Sequence, residues 1–275
     1  MTFFEHIGLQ LYTLRDAFEA DAEDCLRKVA EIGYKEVEFH SMHLVPELWE
    51  LLQELGLAVT SSHVMPPFLT GQWDAYGIPQ PEDDSFQSQI ELAAQYGVKY
   101  LVMPMLLPQE RGNLDHYKKL AELFNRSGEA CKSKGVSFCY RHHNFEFEPL
   151  EGYSPMEVFL NQTDPELVSF ELDIFWLAVA GKDPIEFMRK HGNRIKLLHL
   201  KDLKAGVSPN FKTLETAMHM SEIFLEVGKG ILDMKRTLQV AKEIGIGHAY
   251  VEQDFSPDPM RSITSSYKFL EELGL

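Results

Sequence analysis

Short apolar segments and longer amphipathic segments alternate along the whole chain. The short segments have the length and composition of buried strands, and the longer ones carry apolar residues at helical spacing. The first strand is predicted over 7–14, and seven more over 35–40, 58–64, 100–104, 136–143, 168–175, 195–201 and 248–254. Helices are predicted over 21–32, 46–55, 86–96, 115–134 and 155–161, and one more after each of the last three strands.

Eight strand–helix pairs within about 250 residues match a (β/α)₈ TIM barrel. A doubly wound open sheet is the rival, but it usually has a glycine-rich fingerprint after its first strand, and LYTLR over 11–15 contains no glycine. Because no linker divides the chain, a single α/β domain over 1–275 is predicted. Two long stretches without a predicted helix, 65–84 and 204–225, follow strands and are expected to overhang the barrel mouth.

The charge narrows the range of partners. Of the 275 residues, 26 are basic and 42 acidic, which gives a net charge of −16. Such a field repels nucleic acids and anionic membranes, so a small neutral molecule or a metal cation is favoured. Cys25, Cys131 and Cys139 are too few and too widely spaced for a disulfide framework. With no signal peptide or long apolar run, a cytoplasmic protein is expected.

Ionisable residues follow several of the predicted strands, at the barrel end where catalytic residues usually lie. Asp173, His199 and Glu252 end three successive strands. Any one of them is typically an ordinary hydrogen-bonded residue, but together they form a nitrogen and oxygen ligand set suited to Mn²⁺, Zn²⁺, Mg²⁺ or Fe²⁺. The joint pattern favours a metal site.

Five motifs occur in order at family-like spacing: IGLQLYTLR at 7–15, FELDIFW at 170–176, LLHLKD at 197–202, EVGKG at 226–230 and VEQD at 251–254. With them the whole chain resembles the xylose isomerase-like TIM barrels, the AP endonuclease 2-type superfamily of sugar phosphate isomerases/epimerases. The resemblance implies one divalent metal ion, held by a Glu or His ending strand five, an Asp ending strand six, a His ending strand seven and a Glu ending strand eight. Asp173, His199 and Glu252 match the last three positions.

Strand five departs from this pattern. Relatives have Tyr-His-Asn-His before Phe-Glu-Phe, whereas this chain has YRHHNFEF over 140–147, with Arg141 at the expected ligand. Arginine does not bind cations. His143 shares the inward face of the strand with Arg141, and it or His142 is a candidate fourth ligand. Alternatively, Arg141 binds a substrate carboxylate or hydroxyl, and the metal is three-coordinate, weakly bound or lost.

The resemblance implies an isomerase or epimerase of a small sugar that moves a proton beside a metal-polarised carbonyl. Such enzymes typically use two glutamates, and only Glu252 stands in such a place. Glu146 and Glu148 are candidate substitutes for the second, although acids in a loop are usually solvated. Because β-elimination needs one base, a metal-dependent keto-sugar or polyol lyase or dehydratase is the alternative.

The other residues at the predicted strand ends are assigned catalytic or substrate-binding roles from the chemistry of their side chains. Lys201 and His143 join Glu252 as catalytic candidates. The candidates for contact with the substrate are Arg141, His63, Glu38 and Trp176. Gly228-Lys-Gly230 is too short to establish a phosphate site.

Two other hypotheses belong to different classes of protein. Endonuclease IV shares this barrel, but it expects a histidine at Trp176 and an acid at Leu197, so a DNA-repair function is disfavoured. A catalytically inactive sugar-binding barrel is the other. Relatives are often dimers or tetramers, which makes a homo-oligomer an expectation by analogy.

Overall fold

A computed structural model describes residues 7–208 and 221–274. Its strands are β1 Gly8–Gln10, β2 Glu36–Glu38, β3 Ser61–His63, β4 Tyr100–Met103, β5 Ser137–Arg141, β6 Val168–Asp173, β7 Ile195–Leu200, β8 Asp202–Leu203, β9 Phe224–Leu225 and β10 His248–Val251. Eight of them form one parallel sheet in the order β2-β1-β10-β7-β6-β5-β4-β3. Parallel bridges from Glu36 to Ala58 and from Phe39 to Ser62 join the ends of this sheet. The predicted single-domain TIM barrel is therefore confirmed, with β8 and β9 as a separate antiparallel pair.

Helices surround the sheet and cover its outer face. They are α1 Arg15–Ala20, α2 Ala22–Ile32, α3 Val45–Leu55, α4 Pro67–Thr70, α5 Trp73–Tyr76, α6 Phe86–Gln95, α7 Leu114–Lys132, α8 Pro155–Gln162, α9 Ile174–Val179, α10 Pro184–His191, α11 Met234–Glu243 and α12 Pro259–Glu272. Their first turns follow the usual capping chemistry. Asp21 accepts the Asp24 N–H at the start of α2, and Ser154 forms a capping box with Glu157 at the start of α8.

The interior of the barrel changes from apolar to polar along the strands. Val102, Cys139, Leu197 and Tyr250 pack together nearer the amino ends. A Cβ at Gly8 would lie 2.4 Å from Cδ1 of Tyr250, so only glycine leaves room for that ring. Two residues further along β5, β7 and the strand end after β10, the inward positions are Arg141, His199 and Glu252, which are all buried. Arg141, His199 and Glu252 therefore lie in the carboxyl-end half of the barrel, whereas Glu36, which accepts from the Tyr250 hydroxyl at 2.8 Å, is a buried carboxylate nearer the amino ends.

Several predicted strands are longer than the observed ones, because their last residues leave the ladder. The first strand ends at Gln10, where a 3₁₀ turn over Leu11–Leu14 begins. The sixth ends at Asp173, whose side chain accepts the N–H groups of Phe175 and Trp176 and so starts α9. Alternating apolar residues continue past these points, but the backbone turns to form the mouth.

The two predicted overhanging loops have different outcomes. The stretch 65–84 contains the short helices α4 and α5, so the prediction of a segment without helix is wrong there. Of 204–225, residues 209–220 lie outside the described part, and Phe224–Leu225 pairs with Asp202–Leu203 beside the mouth. Among the described residues, none of the helices has the length and apolar character needed to cross a bilayer.

Candidate functional site at the barrel mouth

Arg141 binds the two carboxylates that the sequence predicts as metal ligands. Its Nη2 lies 2.6 Å from Oδ2 of Asp173 and 3.1 Å from Oε2 of Glu252. Arg141 ends β5, Asp173 ends β6 and Glu252 follows β10, so three strand ends meet here. The guanidinium thus lies among the oxygens of the predicted metal ligands.

Lys201 is a second cation at the same carboxylates. Its Nζ lies 3.1 Å from Oδ2 of Asp173, 2.5 Å from Oε2 of Glu252 and 2.7 Å from Oδ2 of Asp254. The Lys201 side chain has 0% exposure. A buried ammonium ion without such partners would cost several kcal/mol, so these carboxylates are what allow a lysine at this depth.

The two cations fix the charge state of the mouth. Burial would raise the pKa of Glu252, but Arg141 and Lys201 hold it well below its usual range. Burial likewise opposes ionisation of Asp173, yet Lys201 and Arg141 lower its pKa. Both carboxylates are therefore ionised at neutral pH.

The mouth triad does not fit an additional divalent cation in this arrangement. Asp173, His199 and Glu252 place ligand atoms within 4.8 Å of one another. However, Oε2 of Glu252 already receives Arg141, Lys201 and Nδ1 of His199 at 3.1, 2.5 and 2.7 Å. An ion about 2.1 Å from that oxygen would lie against the positively charged groups of Arg141 and Lys201. The cationic side chains thus occupy the position that the resemblance assigns to a metal.

The hydrogen-bond partners of His142 and His143, which follow β5, show which ring nitrogen of each carries the proton. Arg141 can only donate, so Nε2 of His143 accepts from its Nη1 at 3.2 Å. The His143 proton is therefore on Nδ1, which has no hydrogen-bond partner among residues 7–208 and 221–274. In His142, Nε2 accepts the Asp173 N–H at 3.3 Å, and Nδ1 donates to the His143 carbonyl at 3.0 Å. His142 therefore has no lone pair left for a metal, whereas His143 offers a free N–H donor.

A second polar layer lies below the mouth. Glu38, His63, Glu171 and His199 place one ligand atom each within 4.8 Å of one another, and all four are buried. His199 joins the two layers, because its Nδ1 faces Glu252 and its Nε2 lies 2.7 Å from Oε2 of Glu38. The structure thus contains a buried His and carboxylate group able to hold a metal ion.

Glu146 lies on the outer side of the barrel, away from the mouth. It accepts hydrogen bonds from the Tyr140 hydroxyl and from the His143 N–H. Tyr140 points outward, because its ring stacks on Phe124 of α7 and packs against Phe159 of α8. Glu146 is therefore neither solvated nor placed to be a second base at the mouth, whereas Glu148 is exposed.

Glu146 gives a pH-dependent prediction. Burial raises its pKa to about 7, although Tyr140 and the His143 N–H oppose the shift. Because the folded pKa exceeds the unfolded value, its contribution to stability is full below about pH 4.3 and is lost as pH rises through 7. We expect the free energy of unfolding of wild type, relative to Glu146→Gln, to fall by about 3 to 4 kcal/mol between pH 4 and 8. Urea unfolding of both proteins measures it, and a flat difference would contradict it.

The Gly228-Lys229-Gly230 segment is folded around an internal carboxylate. Asp202 accepts the N–H groups of Gly228 and Gly230 through Oδ2, at 3.0 and 2.9 Å. Its Oδ1 accepts from Leu203 and Leu232, at 2.9 and 3.0 Å. The N–H donors that would hold a phosphate here are thus engaged by Asp202.

The predicted substrate contacts divide between the two layers. Trp176 is buried at the mouth with its ring 5.8 Å from Nζ of Lys201, and its indole Nε1 has no hydrogen-bond partner in the described part of the chain. Glu38 and His63 lie in the lower layer, where they bind one another and His199. Sequence reasoning missed Glu171, although a strand places it on the same face as Asp173.

The comparisons with known proteins agree with this fold. A family model described as xylose isomerase-like TIM barrel matches residues 26–273, and the chain belongs to this family. A solved sugar phosphate isomerase/epimerase from Parabacteroides distasonis is 26% identical, with a TM-score of 0.77 and 97% of each chain covered. The solved IolI protein with a bound zinc atom is 16% identical, with a TM-score of 0.71 and 98% of each chain covered.

A curated relative is the inosose dehydratase of Clostridium beijerinckii, 27% identical over 167 residues, or 58% of this chain and 55% of the dehydratase. The chain thus spans about half the length of the curated relatives it matches. The family contains both isomerases or epimerases and dehydratases, so membership defines an enzyme superfamily without selecting one reaction.

Proposed function

We propose that this protein is an enzyme that removes a proton from the carbon next to a carbonyl in a small sugar or a cyclic polyol ketone. The observation that carries the proposal is the ionised carboxylate of Glu252, held at the barrel mouth between Arg141 and Lys201. A carboxylate base beside two fixed cations matches what enolate formation needs, because charge moves from the base to the substrate oxygen.

The mouth residues have distinct roles in this proposal. Glu252 takes the proton, and Arg141 and Lys201 stabilise the negative charge on the enolate oxygen. The N–H groups of His143 and Trp176, which have no hydrogen-bond partner among the described residues, donate to substrate oxygens. Buried donors without partners are costly, and the hydroxyl and carbonyl groups of a carbohydrate would satisfy them.

Elimination of water is one outcome of the enolate. Glu252 takes the α-proton, and the carbon–hydrogen electron pair forms the enolate. Those electrons then re-form the carbonyl and a carbon–carbon double bond, and the β-hydroxyl leaves as water after Lys201 protonates it. Lys201 regains its proton from Glu252, whose Oε2 is 2.5 Å away. This outcome needs one base, and in the described residues β5 supplies Arg141 where relatives of this type have a second ligand or base.

Isomerisation or epimerisation is the other outcome, in which the proton returns to the opposite face or the neighbouring carbon. The solved sugar phosphate isomerase/epimerase relative, with its coverage of 97% of this chain, supports it. It requires a second proton donor across the substrate from Glu252. The position of His143, with its proton on Nδ1, supports that role.

A divalent ion of the class Mn²⁺, Zn²⁺, Mg²⁺ or Fe²⁺ remains part of the proposal, because a buried ligand group is present. When bound, it would lend positive charge to the barrel interior. The proton transfers above are assigned to Glu252, Lys201 and His143 alone. We also propose a cytoplasmic enzyme and, by analogy with relatives, a homo-oligomer.

Product analysis tests the proposal and separates the two outcomes. Purified protein is incubated with free ketoses and cyclic polyol ketones, and the products are followed by NMR and ultraviolet absorbance. A dehydratase yields a new unsaturated or dicarbonyl product, whereas an isomerase or epimerase yields a sugar of unchanged mass. If ketones bind and neither product forms, the protein is a sugar-binding barrel and the proposed function is wrong.

A further inference from the structure

We propose that Glu38, His63, Glu171 and His199 form a divalent-cation site one layer below the mouth, distinct from the position that the resemblance assigns to the family's metal. The proposal concerns ion binding and does not depend on which reaction the mouth catalyses. It rests on the geometry of these four side chains, on their charge and on their hydrogen-bonded surroundings.

The distances among the four ligand atoms suit one small ion. Nε2 of His63 lies 3.3 Å from Oε2 of Glu38 and 3.2 Å from Oε2 of Glu171. Nε2 of His199 lies 3.2 Å from Oε2 of Glu171. Four ligands around an ion with bonds of 2.0 to 2.2 Å are about 3.3 to 3.6 Å apart. A fourth distance, 2.7 Å from Nε2 of His199 to Oε2 of Glu38, is a hydrogen bond that the ion would replace, and all pairs of ligand atoms lie within 4.8 Å.

The charge of this layer differs from that of the mouth. Glu38 and Glu171 have no lysine or arginine nitrogen within 4.0 Å anywhere in 7–208 and 221–274, and their ionic partners are His63 and His199. Two carboxylates buried in a barrel core, where apolar side chains are usual, need compensating charge. One divalent cation with two neutral imidazoles supplies that charge.

One carboxylate oxygen of Glu171 gives a second, independent observation in favour of a bound ion. Its side chain has 0% exposure, and its Oε1 accepts no hydrogen bond from any residue that the structure describes. Its other oxygen, Oε2, lies 3.2 Å from Nε2 of His63 and 3.2 Å from Nε2 of His199. A buried carboxylate oxygen without a donor is costly, and rotation of the carboxylate toward a shared ion would use it.

Neighbouring side chains hydrogen-bond to the proposed ligands and orient them, as happens around the ligands of known metal sites. His199 turns its other nitrogen, Nδ1, to Oε2 of Glu252 at 2.7 Å, which is the carboxylate–histidine–metal arrangement. Glu38 is held by Ser61 Oγ at 2.5 Å and by Gln10 Nε2 at 2.7 Å. The Gln10 amide is in turn oriented, because its Oε1 accepts the Tyr12 N–H at 2.9 Å. Two of the four proposed ligands, His199 and Glu38, are thus oriented by residues outside the group.

The ligand types select the class of ion. Two imidazole nitrogens and two carboxylate oxygens suit Zn²⁺, Mn²⁺ or Fe²⁺, whereas Mg²⁺ prefers oxygen ligands and water. We therefore expect Zn²⁺ or Mn²⁺ to bind here with a stoichiometry of about one per chain.

Metal titration of matched variants tests the site. Apo protein is titrated with Zn²⁺ and Mn²⁺ by calorimetry, and bound metal is counted by elemental analysis after gel filtration. We expect His63→Ala and Glu171→Gln to raise Kd at least about 100-fold. Asp173→Asn, which keeps the Oδ1 acceptor for α9, is expected to retain one ion with Kd within about tenfold. His142→Ala is a control for loss of a buried histidine, and circular dichroism confirms folding of each variant.

Two results would overturn the site. In one, Asp173→Asn loses the ion while folded Glu171→Gln retains it, which would place the metal at the mouth. In the other, wild type binds no Zn²⁺ or Mn²⁺ at millimolar concentration. Cobalt(II) absorption gives a second readout in variants that bind weakly, because loss of His63 changes the visible spectrum and loss of His142 does not. None of these readouts requires turnover, so failure of the site is distinguishable from failure of the proposed function.

Discussion

Glu252→Gln is expected to lower kcat for proton transfer by about 10²- to 10⁴-fold, because glutamine cannot accept the substrate proton. The substitution keeps the shape of the side chain and an oxygen that can accept from Lys201 or His199. KM is therefore expected to change much less than kcat, since the donors of His143 and Trp176 remain in place. Steady-state kinetics on the ketone that product analysis identifies gives both constants.

Asp254→Asn is the matched control for this experiment. Asp254 also binds Nζ of Lys201, at 2.7 Å, but it is partly exposed and makes no contact with His199 among the described pairs. Loss of one negative charge beside Lys201 is thus common to both variants, whereas only Glu252→Gln removes the proposed base. Equal losses of kcat in the two variants would show that charge, and not proton removal, is what Glu252 supplies.

Lys201→Met is expected to destabilise the fold by about 3 to 5 kcal/mol, because it leaves buried carboxylates without one of their two cations. Methionine fills a similar volume, so the loss reports charge more than packing. For a domain of this size, that corresponds to a fall in Tm of roughly 6 to 20 °C. Thermal and urea unfolding at pH 7 measure the change.

Lys204→Met is the control for the loss of a lysine nearby. Lys204 is 53% exposed and lies 3.8 Å from Glu222. A surface pair of this kind contributes at most about 1 kcal/mol. If Lys201→Met were no more destabilising than Lys204→Met, Lys201 would not be the cation that balances Asp173 and Glu252.

The fold could be predicted from the sequence because each strand and helix has its own local pattern. Helix 21–32 was predicted from its amphipathic spacing, and the structure has α2 over Ala22–Ile32 there. The strand ends could not be placed, since the apolar alternation continues through Asp173 while the ladder stops there. The residue at which a strand leaves the sheet depends on its neighbouring strands, which are distant in sequence.

The candidate site could be predicted in part. Asp173, His199 and Glu252 were expected to meet because parallel strands share one carboxyl edge, and the structure brings them together. The ion pairs that Arg141 and Lys201 form with Asp173 and Glu252 could not be predicted, because they depend on the rotamers of long side chains. The level of Glu38 and His63 in the barrel depends on strand stagger, which no local pattern encodes.

Deuterium exchange at the carbon next to the substrate carbonyl tests proton removal by Glu252 most directly. A ketone that binds the protein, as shown by a thermal shift, is incubated in D₂O with wild type or with Glu252→Gln, and the ¹H signal of that carbon is followed by NMR. We expect the signal to disappear with wild type and to persist with Glu252→Gln over the same period. Equal exchange with both proteins, or no exchange of a bound ketone with wild type, would contradict the assignment of Glu252 as the base.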